Sequence, residues 1–181
     1  MRTRSLGSGA LALALALVAA ACTSVDAPTV QQDTVALPTP LRSLDVSADT
    51  TVAALAAALG TIGERLVEPP GPYRPSEPPS LMQVPRVIRR AELADVGDGF
   101  VVIYEAPSRA DAERLAGDLA DYLGSGFGMT NYVADTQFAV SVLDETIIFT
   151  SWSARSSDDP ERAQAAFEAM AAVGEPVVVE R

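Results

Sequence analysis

Residues 99–124, GFVVIYEAPSRADAERLAGDLADYLG, decide how this chain folds. Phe100, Val102 and Tyr104 alternate with Val101 and Ile103, so a strand over Phe100–Glu105 is apolar on both faces. That is the pattern of a central strand covered on both sides or at least on one. Pro107-Ser108 then opens a helix, with Ser108 and Asp111 at the spacing of a capping box. Ala112, Leu115, Ala116, Leu119, Tyr122 and Leu123 form its buried stripe, and Gly124 ends it.

Upstream, Val84 to Leu93 reads as a further strand, with Pro85 tolerable only near its start. Asp95-Val-Gly-Asp98-Gly99 reads as the turn that joins the two. Downstream, a glycine-rich loop leads to short strands over residues 131–135, 137–143 and 146–152, the last two a hairpin around Asp144-Glu145. Asp159 caps and Pro160 starts a last helix with a stripe of Ala163, Ala166, Phe167 and Met170. Gly174 stops it, and residues 176–179 are a candidate edge strand. This order predicts an α+β domain over 84–181, an antiparallel sheet of about four to five strands with two helices on one face. The order of elements resembles a variant of the ferredoxin-like plait.

Before that domain, Val52, Leu55, Leu59, Ile62 and Leu66 recur at helical spacing, which predicts an amphipathic helix over 47–68 capped by Ser47 or Asp49. Residues 69–83 are dense in proline and are expected to be a stiff, extended connection. Residues 22–46 show no sustained period and contain Pro28, Pro38 and Pro40, the pattern of a tether. Fully extended, its reach is on the order of 80 Å.

The first 22 residues are an address. Arg2 and Arg4 precede an apolar run from Ala10 to Val18, followed by Ala19, Ala20, Ala21 and Cys22. A positive leader, a short apolar core and a small-residue cleavage site define an export signal over residues 1–21. The apolar stretch is too short for a stable span, which needs about 20 residues. The string Val18-Ala19-Ala20-Ala21-Cys22 resembles the lipobox of bacterial lipoproteins, with Ala19 where Leu is commonest. That resemblance implies cleavage between Ala21 and Cys22 and diacylglyceryl attachment to the Cys22 thiol, so that the membrane partner is met through lipid. The other reading is ordinary cleavage after Ala21 and secretion.

Composition excludes much chemistry. The 181 residues carry 13 basic and 24 acidic side chains, a formal charge of −11, and the basic residues are all Arg. With no His and no Lys there is no Ser-His-Asp or Cys-His nucleophile, no His-bound metal, no Schiff base and no P-loop lysine. One Cys makes neither a disulfide nor a zinc site. The acidic balance opposes nucleic acid as a partner.

The remaining candidates have ordinary structural readings. Gly124-Ser-Gly126-Phe-Gly128 closes a helix, whereas a phosphate-cradling loop opens one. Asp95, Asp98, Asp144-Glu145 and Asp158-Asp159 stand at turns and helix starts, where acids are favoured. Arg89-Arg90 places one guanidinium on each strand face. Trp152, Tyr104, Phe149 and Tyr132 read as core, Trp152 being the best candidate for a ligand wall. The expectation is a lipid-anchored extracytoplasmic domain with no cofactor, metal or catalysis, meeting a small ligand or an envelope protein. The alternatives are an envelope hydrolase using Asp and Glu alone, and a structural spacer.

Overall fold

The computed structural model describes residues 46–180, so Ala21, Cys22 and residues 23–45 of the expected tether lie outside the described part. In chain order the elements are α1 (Val46–Gly60), β1 (Leu66–Val67), β2 (Arg86–Ala91), β3 (Phe100–Glu105), α2 (Arg109–Gly124), α3 (Gly126–Met129), β4 (Gln137–Leu143), β5 (Thr146–Trp152), α4 (Pro160–Ala171) and β6 (Glu175–Val177). The strands form one open sheet in the order β1-β2-β3-β5-β4-β6, with every neighbouring pair antiparallel. The fold is α+β.

Side-chain alternation sorts the core into two layers. Val87, Ala91, Val101, Ile103 and Ile148 face α1 and α4, where they meet Leu55, Leu59, Ala166 and Met170. Val102, Tyr104, Val140, Ile147 and Phe149 point the other way, to Leu115, Leu119 and Leu123 of α2. Helices α2 and α4 therefore lie on opposite faces, which corrects the expectation of two helices on one face. The cause is visible in β3 and β5, whose residues are buried on both alternations and so need cover on both sides. The run β3-α2-β4-β5 keeps the strand order of the plait, but α4 crosses to the other face. Its strand β6 then pairs with β4 at the far edge. Edge strands β1 and β6 have two and three residues, and β6 carries Pro176, so neither offers a long pairing template.

Helix α1 is not separate from the domain. Ala48, Leu55 and Leu59 are fully buried, each leucine contributing about 1.5–3 kcal/mol. The hydroxyls of Thr51 and Thr146 share a hydrogen bond of 2.7 Å, which fixes the first turns of α1 beside the β4–β5 hairpin. The helix ends at Gly60, short of the predicted 68, because Gly63 takes φ +82° and Glu64 bonds back to the Leu59 carbonyl. Ile62 is left exposed, and Leu66 belongs to β1. Ser47 and Asp49 sit inside the first turn, not in front of it.

Residues 69–83 connect β1 to β2 and pack on the domain. They lie on the α2 face as a strap. Tyr73 stacks on Phe100 with centroids 4.2 Å apart, and Leu81 is fully buried. Glu77 accepts from the Tyr104 hydroxyl at 2.8 Å and pairs with Arg86. Pro85 just precedes β2, and its carbonyl accepts from Glu105 N–H.

Two local expectations hold and one does not. Ser108 caps α2 by accepting from Asp111 N–H, and Asp159 caps α4 with Pro160 at the start. The strand expected over residues 131–135 does not form. The amides of Thr130, Asn131 and Tyr132 bond back to Phe127, Gly128 and Met129, and a chain so turned has no row of free groups for a ladder.

Candidate functional site

At the end of the sheet where β5 finishes and β3 begins, an open cleft of about 550 Å³ lies between four segments. One wall is the start of the strap, residues 73–76. The facing walls are Gly97 and Asp98 of the β2–β3 turn, residues 131–133 with Thr136, and residues 151–153 with Ser156. Ser151 and Trp152 point to opposite faces of β5, so the cleft straddles the sheet's end. The β4–β5 hairpin and the first turns of α1 are at the other end.

Each wall is fixed from below. Tyr132 donates to the Ser76 carbonyl at 3.2 Å and packs edge-on against Phe138, joining the 131–136 turn to the strap. Ser76 and Tyr122 share a hydrogen bond of 2.8 Å, which ties the strap to α2. The β2–β3 turn is wound around Arg90, which is buried and donates to the carbonyls of Leu93 at 3.1 Å and Asp95 at 2.8 Å. Of the two neighbouring arginines, Arg90 thus builds this wall, while Arg89 pairs with Glu68. Ser153 donates to Asp135 at 2.8 Å and holds that carboxyl below its ordinary range.

Asp98 is the acid among the lining residues. It is buried, and burial raises its carboxyl above the usual range, against the Ser157 hydroxyl, with Asp95 and Asp158 adding repulsion. Asp98 is thus withdrawn from water although it stands in a turn. Glu64 is buried and Glu77 half-buried, each held by an arginine: Arg162 donates to both oxygens of Glu64, and Arg86 pairs with Glu77. Asp144-Glu145 stays at the hairpin tip, at the far end from the cleft. Among the described residues no group of three or more carboxyl or thiol ligands could hold a metal ion.

Of the aromatic candidates, Tyr104 and Phe149 are fully buried core. Trp152 and Tyr132 line the cleft. Trp152 packs against Phe167, is buried, and has an indole N–H with no acceptor among the described residues. A buried donor left so costs about 1–3 kcal/mol. Sequence reasoning missed Tyr73 and Arg74, which sit in the proline-rich segment and gave no periodic signal. Arg74 also lines a second groove of about 570 Å³ on the other side of the strap, with Met82, Tyr122 and the exposed Phe127.

The glycine run is structural. Ser125 caps α3 by accepting from Gly128 N–H, and Gly124 and Gly128 allow close backbone contacts. Comparison of the chain with protein-family models, with characterised proteins and with solved structures finds no match.

Proposed function

We propose that this protein is an extracytoplasmic lipoprotein whose folded domain binds a ligand or partner without catalysis. The observation that carries the reading is the N-terminal sequence, a positive leader and short apolar run ending in Ala19-Ala20-Ala21-Cys22. Cleavage before Cys22 and acylation of its thiol would hold the domain to the membrane, each buried methylene contributing about 0.8 kcal/mol. The composition supports the non-catalytic half. General acid-base work would fall on carboxyl groups or tyrosine in a chain without His or Lys. Glycoside hydrolysis uses two carboxyl groups about 5–10 Å apart, whereas the cleft at the sheet's end is lined by Asp98 alone of the acids and the second groove by Glu77 alone.

Anchoring is tested by intact-mass measurement on the exported protein and by detergent partitioning. The expected mass is that of residues 22–181 plus acyl groups, and Cys22→Ser should release or misprocess the chain. An unmodified mature Cys22 contradicts the anchor. Turnover of glycans, lost in Asp98→Asn, contradicts the non-catalytic reading.

A further inference from the structure

The cleft at the sheet's end is a place for a ligand of definite chemistry, and we propose that it binds a neutral oligosaccharide. This rests on the reading of the domain as a binding module and names what the module holds.

The lining carries the argument. Aliphatic side chains are nearly absent from it, with only Pro75 and Val133 present. A peptide site would offer apolar pockets or a long free strand edge, and the cleft has neither. Its walls instead carry serines, Thr136 and Asn131, set among the rings of Tyr73, Tyr132 and Trp152. Hydroxyl and amide groups beside aromatic rings match a ligand that is hydroxylated at its rim and presents C–H groups on its faces.

Charge then selects among saccharides. The lining contains one cation, Arg74, and one anion, Asp98, so the cleft itself is formally balanced. Around it stands a chain of net charge −11, which disfavours an anionic sugar. Arg74 is exposed and has no partner among the described residues. Its planar fork of donors is therefore free for a pair of adjacent hydroxyls. Asp98 on the opposite wall can accept from a third.

Trp152 is the one tryptophan of the chain, so tryptophan fluorescence reports from this wall of the cleft and the core behind it. The test uses the full chain in a polyoxyethylene detergent, which carries no sugar. It is titrated with trimers of glucose, mannose and N-acetylglucosamine, and with trigalacturonate as the anionic control. The expected result is a saturable fluorescence change with at least one neutral trimer. Arg74→Gln should weaken that binding about tenfold or more without changing the thermal midpoint, since Arg74 is exposed and unpaired. No saturable change with any neutral trimer overturns the proposal, and so does tighter binding of trigalacturonate. Undiminished binding by Arg74→Gln places the sugar elsewhere and overturns it as well. None of these outcomes bears on Cys22, whose acylation is measured by mass, so the site and the anchor can fail separately.

Discussion

Gly124 and Gly128 are places where two backbones touch. A Cβ on Gly124 would stand 1.8 Å from the Glu180 carbonyl oxygen, and one on Gly128 2.0 Å from that of Tyr122. Between them, Gly126 has nothing within 4 Å of the same position. Alanine at 124 or 128 should therefore cost about 1–3 kcal/mol through forced backbone movement, and Gly126→Ala should stay within about 0.5 kcal/mol. Urea midpoints for the three variants check this, and equal losses at all three would contradict it. Asp98 gives a prediction of the opposite sign. Its carboxyl is raised above 3.8 by burial, so the folded state holds the proton more tightly than the unfolded one. Ionisation thus costs stability at pH above the folded value, and the cost fades as pH falls through that value. Asp98→Asn is expected to be more stable than the parent near neutral pH, with the gap closing in acid. A gap that widens on acidification would refute the assignment.

The strap shows what one polar contact does for an element with no hydrogen-bond ladder of its own. Burial and the hydrogen bond to Glu77 push the Tyr104 phenol far above its ordinary value, so it remains a donor at any physiological pH. Glu77→Ala would leave that donor and the half-buried Arg86 guanidinium without their acceptor, at a cost of about 1–3 kcal/mol. Proteolysis should then cut residues 69–83 faster than in the parent chain, and an unchanged cutting rate would show that Tyr73 and Leu81 hold the strap alone. Elements with a period were legible in the sequence. The alternation of 100–105 and the 3.6-residue stripe of 109–124 each repeat their burial several times, so they survive without tertiary knowledge. Strap, cleft and helix placement were not legible. The strap buries single residues, Tyr73 and Leu81, at irregular intervals between prolines, and nothing in its order marks which side meets the sheet. The doubly apolar β3 did signal cover on two faces. The helix that meets half of that need is α1, whose leucine stripe fits a surface helix as well as a core one.

At the scale of the molecule, a sheet clad on both faces leaves its two ends as the free ground, and they differ. One end holds the β4–β5 hairpin turn, with Asp144 at φ +52°, and the first turns of α1, fastened by Thr51 to Thr146. The other holds the cleft. The strands span the distance between them, neighbours in opposite directions. On the reading proposed above, the tether pulls at the start of α1 while the ligand is gripped past the ends of β3 and β5. A tug between membrane and ligand is then directed along the strands, as shear. Under shear the rungs between β3, β5 and β4 are loaded together, whereas a pull across the sheet would open them one after another. On that reading the domain is laid out like a link in a chain, with its two points of attachment at opposite ends of the sheet.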